Sequence, residues 1–280
     1  MIYRILILIL ISSTCFGQNS LLWQITKENV KDTSYLYGTI HLANKKYFYV
    51  NSKVHDIKKK VDAGVFELIL NTDSLAYISK ILMAGEGERI TDVYSTDEQR
   101  LIFEYFQSKL GFQEVILNQF KPIALSNYMI QILMPPDTIG AVDQLLQNDF
   151  TRGGKSIFAL ESVKMQSDIF FQIPMSVQKE ELLESIQKED SLNNAMKELD
   201  SVYCNQDLKG ISLLLDDLKN HKYLSKELMN DSRNIKMIPK IEDLLSKQSN
   251  LICVGAAHLS GDKGLIKLLR KKGYTLVPIN

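Results

Sequence analysis

The stretch LICVGAAHLSGDKGLIKLLRKKGYTLVPI, residues 251–279, decides how this chain is read. LICV is a short, continuous apolar run of the kind found in strands covered on both faces. Residues 262–272 then place Leu265, Ile266, Leu268 and Leu269 on one side of a helix, with Gly273 positioned as its C-cap and a second strand, YTLVPI, behind it. Strand–helix–strand order at the end of the chain predicts a helix-covered sheet. At the point where the first strand ends, Gly255-Ala256-Ala257-His258 presents an imidazole.

The same arrangement stands near the other end of the chain. Two β-like runs, 21–26 and 35–40, flank the polar connection KENVKDTS, and the second reaches Gly38-Thr39-Ile40-His41. One Gly-x-x-His is weak, because a single such histidine is commonly a hydrogen-bonded core residue. Two at strand ends are more informative, since ligands of open α/β sheets bind outside the carboxyl ends of the strands. His41 and His258 are therefore candidate metal ligands or acid–base groups.

Two carboxylates break apolar runs in a similar way. Glu67 interrupts VFELIL, 65–70, read as a strand, and Glu161 ends the strand 155–160. An ionised carboxylate in such surroundings costs several kcal/mol unless a cation, a metal or dense hydrogen bonding compensates it. A buried ion pair with Lys or Arg satisfies that requirement as well as a metal does. Glu161 is also placed to start a helix, where an acid favours the N-terminal dipole. His41, Glu67 and His258 together form a possible 2-His-1-carboxylate set for Zn, Mn or Fe, with positions left for water. Without a metal, a His/Glu base could activate water directly.

Between these ends the chain is mostly helical. A capping-box pattern at 95–98 opens a helix to about 109. Pro122 starts another that Pro135-Pro136 stops, and 141–150 forms a third. Residues 177–249 carry polar helices with apolar stripes. The expected fold is one α/β domain, 18–280. Its central mixed sheet carries strand–Gly-x-x-His edges at both chain ends, with a large helical insertion at about 71–154 and 177–249.

Residues 1–17, MIYRILILILISSTCFG, read as a secretory signal. The single cation Arg4 precedes an apolar run too short to span a membrane, and cleavage is expected before Gln18. The expected location is periplasmic or extracellular, with no integral span afterwards. Of the three cysteines, Cys204 and Cys253 would remain, and two buried, unpaired thiols are favoured over a bridge. The 280 residues hold 33 Lys plus Arg and 33 Asp plus Glu, so no bulk charge attracts nucleic acid or an anionic membrane. No H-E-x-x-H, G-x-S-x-G or P-loop is present. His55 and His221 read as solvated, and Trp23 as packing.

Taken together, SYLYGTIH, VFEL, GAVDQLL, GGKSIFALESVKMQ, the Arg233-Asn234 pair and the closing VGAAHLSGDKGLIKLLRKKGYTLVPI resemble the TraB/PrgY/GumN family. The resemblance spans about 21–279. It implies kinship with Tiki metalloproteases and the erythromycin-esterase/ChaN-like group. It implies metal-binding or catalytic roles for His41, Glu67 and His258, and site-lining roles for Glu161 and Arg233. It also implies peptides as a ligand class.

The leading expectation is an exported, metal-dependent, peptidase-like hydrolase. Glu161 or Glu67 would move the proton, and Arg233 would bind a carboxylate or an oxyanion. A protein that sequesters a peptide signal without cleaving it, and a metal-free esterase-like hydrolase, are the alternatives.

Overall fold

The computed structural model describes residues 19–40, 52–133, 141–216 and 223–280. His41, His221 and the segment read as a secretory signal lie outside the described residues. Six strands form one mixed sheet: β1 (Leu22–Thr26), β2 (Ser34–Thr39), β3 (Ala63–Phe66), β4 (Ser156–Ala159), β5 (Asn250–Gly255) and β6 (Thr275–Pro278). Their spatial order is β4-β3-β5-β2-β1-β6. Neighbours from β4 to β2 run parallel, whereas β1 lies antiparallel between β2 and β6. The expected hairpin of the first two strands is present. Both chain ends meet in one sheet because β5 pairs with β2 and β6 with β1.

Register brings the strand ends together. Thr39 stands opposite Gly255, and Phe66 lies between Ala159 and Cys253. The residues that follow each of these four strands therefore emerge at one edge of the sheet. The third strand is shorter than its apolar run: it ends at Phe66, and Leu68–70 leave the sheet. Glu67 is thus the first residue beyond a strand rather than a residue inside one. Pairing continues just past the end, where the Glu161 N–H donates to the Glu67 carbonyl at 2.8 Å.

Among the described residues two apolar clusters hold the fold. The larger joins the strands to the helices Val142–Arg152 and Ser232–Leu245, with Phe66 edge-on to Phe150 at 6.0 Å. The second is built by Thr96–Leu110, Pro122–Leu133 and Met175–Gln187 around Ile102, Phe106, Leu125 and Leu182. The expected capping box at Ser95 and Glu98 opens the first of these three helices. Val142–Arg152 and Ser232–Leu245 bury their apolar faces in the same core as the strands.

Cys204 is half-buried and Cys253 lies buried in β5, both as thiols. Trp23 is fully buried, its indole N–H donating to the Ser20 carbonyl at 2.7 Å, as its packing role requires. His55 is half-buried in the helix Lys53–Lys60, more covered than a solvated face implies. Desolvation and the nearby Lys58 lower its pKa. Among the described residues no helix is long and apolar enough to cross a membrane.

Candidate functional site

Four residues singled out in the sequence, Glu67, Glu161, Arg233 and His258, converge at the strand-end edge, and each is less than a tenth exposed. The first two follow β3 and β4. The imidazole is carried by a short 3₁₀ turn, Ala256–His258, directly after β5. The guanidinium comes from the helix Ser232–Leu245, preceded by a π-helical turn, Glu227–Asp231. Asn230, Arg233, Asn234, Met237, Ile238, Ile241, Leu244 and Leu245 recur at three- and four-residue spacing. They form the buried face of this helical segment. Its polar members point at the site and its apolar members at the core.

Arg233 ties the two carboxylates together. Its Nη2 donates to Glu67 Oε2 at 2.7 Å and to Glu161 Oε2 at 2.6 Å, while Nε donates to both Glu161 oxygens at 3.0–3.1 Å. Nη1 donates to the Met229 carbonyl at 2.8 Å. Burial pulls the arginine's pKa down, but Glu161 and Glu67 more than offset that, and the net shift is upward. The ion-pair reading of the buried glutamates is therefore realised. It also spends every nitrogen of Arg233 on protein oxygens.

Glu67 has further donors. The Gly255 backbone N–H donates to Oε1, and Gln166 Nε2 donates to Oε2 at 3.0 Å. A Cβ at position 255 would stand 3.1 Å from Glu67 Oε1, so glycine keeps this approach open. The partner glycine works in the same way: a Cβ on Gly38 would stand 2.9 Å from Leu259 Cδ1 and 3.1 Å from Ala256 Cα. Each motif glycine admits the chain that carries or touches the acidic and imidazole groups.

His258 is oriented by its neighbour across the helix. Asn234 Nδ2 donates to the His258 and Lys263 carbonyls, which assigns its Oδ1 as the acceptor facing His258 Nδ1 at 2.6 Å. The proton of a neutral imidazole then belongs on Nδ1. Nε2 is left as an acceptor 3.5 Å from Glu67 Oε2. Two acceptors facing each other need a proton, a water or a cation between them. Two donor atoms, each about 2.1 Å from one ion at a tetrahedral angle, stand about 3.4 Å apart. The Glu67–His258 spacing alone matches a shared ion, while Glu67 Oε2 already accepts from Arg233 and Gln166, and Asn234 supplies the outer hydrogen bond that metal-bound histidines use. Among the described residues no group of three His, Cys, Asp or Glu side chains forms a ligand set. Glu67 and His258 make two, and His41, the expected third, is outside the described residues, although Ile40 before it lines the same cavity.

That cavity holds about 560 Å³, in the range of roughly 300–1,000 Å³ usual for small-ligand sites. Glu67, Arg233 and His258 lie on one wall. Tyr203 donates to the Gly38 carbonyl at 3.1 Å and helps close the floor. Asn230, almost fully buried, donates to the Ala257 carbonyl at 3.0 Å. The sequence assigns no role to Asn230, Asn234 or Gln166. The legible signal was a run of polar residues, Asn230, Arg233 and Asn234, on the helix face that otherwise reads Met237, Ile238 and Ile241.

No curated protein and no solved structure matches this chain. A model of the TraB/PrgY/gumN family matches residues 21–278. That span runs from the first strand to the last and contains both Gly-x-x-His segments and every residue of the buried network. The chain belongs to the TraB/PrgY/gumN family.

Proposed function

We propose that this protein is an exported, metal-dependent hydrolase that cleaves peptides, with Glu67, His258 and His41 as the residues that would hold the ion. The observation that carries the proposal is the pairing of His258 Nε2, its ring oriented by Asn234 at Nδ1, with a buried carboxylate oxygen at 3.5 Å. A divalent ion there supplies Lewis acidity, which polarises a carbonyl and makes water nucleophilic at neutral pH. Arg233 pairs with Glu67 and Glu161 in a desolvated place. Bonded to both carboxylates and to the Met229 carbonyl, it acts as a positioning residue. Glu161 anchors Arg233, and Glu67 is the carboxylate that faces the imidazole. His258 Nε2 accepts a proton from water or holds the ion, and the Nδ1 bond preserves its tautomer in either role.

Metal content of the purified protein, measured beside His258→Ala, tests the ion. Incubation with a diverse peptide library, with and without chelator, tests the chemistry. Bound metal lost in the variant and chelator-sensitive cleavage are the expected results. Cleavage that persists in chelator supports a metal-free His/Glu base. Tight peptide binding with no cleavage supports a sequestering protein.

A further inference from the structure

A second cavity, of about 750 Å³, lies between the helices Leu208–Asp216 and Leu265–Lys271, and its described lining residues are all different from those of the strand-end cavity. The first of these helices separates the two. Ile211, Leu214 and Leu215 face the strand-end cavity, whereas Leu208, Lys209 and Ser212 face the second one. Leu208, Leu259 and Ile266, each less than a tenth exposed, give the second cavity an apolar floor.

Three cations, Lys209, Lys267 and Arg270, stand around that floor, and among the described residues lining it there is no carboxylate. Arg270 donates through Nη2 to the Leu276 carbonyl at 2.9 Å and lies over the Trp23 ring. Those contacts hold the guanidinium in place without an acid. Lys267 pairs with Asp262 at 2.6 Å, but the side chain of that aspartate is 92% exposed, and such surface pairs are weak. The acids of the adjoining groove are met by their own lysines, Asp216 by Lys226, and Glu227 and Asp231 by Lys263. The Ser260 hydroxyl, two residues beyond His258, is buried and meets no hydrogen-bond partner. An unmet buried hydroxyl is unfavourable, and a ligand oxygen at this wall would satisfy it.

Ammonium, guanidinium and hydroxyl donors around an apolar floor suit a group rich in acceptor oxygens carried on an apolar body. A phosphate monoester offers three acceptor oxygens and a charge of about −1.5 to −2 at neutral pH, more than a carboxylate offers. An anionic bilayer suits the protein less well, because its 33 basic and 33 acidic residues leave no bulk charge to draw it to such a surface. We infer that this cavity binds a small, soluble phosphate monoester. Its apolar group rests on Leu208, Leu259 and Ile266, and its phosphate lies among Lys209, Arg270 and Ser260. The site stands or falls independently of the hydrolase reading.

The test is calorimetry of the purified protein with hexyl phosphate, inorganic phosphate, hexanoate and hexanol. Hexyl phosphate should bind at least about tenfold more tightly than each of the others, and added salt should weaken it. Lys209→Gln and, independently, Ser260→Ala should each weaken hexyl phosphate about three- to tenfold. Lys209 is exposed and the Ser260 hydroxyl bonds nothing in the fold, so the urea midpoint of both variants should stay unchanged. No binding of hexyl phosphate at millimolar concentration, equally tight binding of hexanoate, or binding untouched by both substitutions would overturn the inference. Cosedimentation with phosphatidylglycerol vesicles that Lys209→Gln abolishes would also overturn it, in favour of a membrane headgroup.

Discussion

Replacing Arg233 by Met tests the buried network most directly. The thioether fills much of the same space but removes four donor contacts to carboxylate oxygens, one to Glu67 and three to Glu161. Glu67 keeps the Gly255 N–H and Gln166, whereas Glu161 keeps only the Gln166 contact at 3.4 Å among the side-chain bonds. Stranding one partner of a buried ion pair costs about 3–5 kcal/mol, because the remaining charge stays desolvated. Against a domain stability of about 5–15 kcal/mol, that is roughly a fifth or more of the total. Urea unfolding followed by circular dichroism should show an unfolding free energy lowered by that amount, seen as a lower midpoint at an unchanged slope.

Adding Glu161→Gln should restore part of the loss, as expected for coupled neighbours. A variant within about 0.5 kcal/mol of the parent, the usual scatter of substitutions away from such features, would refute the claim that these charges depend on Arg233.

Three other outcomes follow from the geometry. Asn234→Ala removes the bond that holds His258 Nδ1, so metal affinity or turnover should fall by about 10–100-fold, the usual effect of losing an outer-shell partner. Titration and pH–rate profiles separate this from simple destabilisation, because the pH profile should also shift. Gly38→Val drives atoms into Leu259 and Ala256, and should lower stability by about 1–3 kcal/mol, visible as a lower urea midpoint. Asp149 is desolvated, but hydrogen bonds from Lys58 and Arg152 hold its carboxyl below the usual range. Its contribution is present above the unfolded carboxylate range and is lost as pH falls through the lowered folded value. Asp149→Asn should thus destabilise by up to about 1 kcal/mol at neutral pH and by nothing measurable in strong acid, as read by urea unfolding at both.

Much of the scaffold was legible from local patterns. The Ser95–Glu98 capping box, the first-turn Pro122 and the apolar runs of β2 and β5 each encode an element through contacts within a few residues. Glu67 stood out because a carboxylate in an apolar run demands a partner. The partner itself was open between metal and cation. Arg233 lies 166 residues away along the chain, and the family resemblance alone points it to the site. The end of β3 at Phe66 was also hidden, since VFELIL reads apolar on both sides of Glu67.

The amino-acid order alone determined an α/β chain with two imidazoles at strand ends and two carboxylates in apolar company, because periodicity, caps and Gly-x-x-His spacing are local properties. Tertiary structure decided the rest. It slipped β1 between β2 and β6, aligned Thr39 with Gly255, and turned one helix face so that Arg233 reaches Glu67 and Glu161 while Asn234 reaches His258. Those pairings depend on how strands register and helices pack across long separations, and no window of neighbouring residues carries that information.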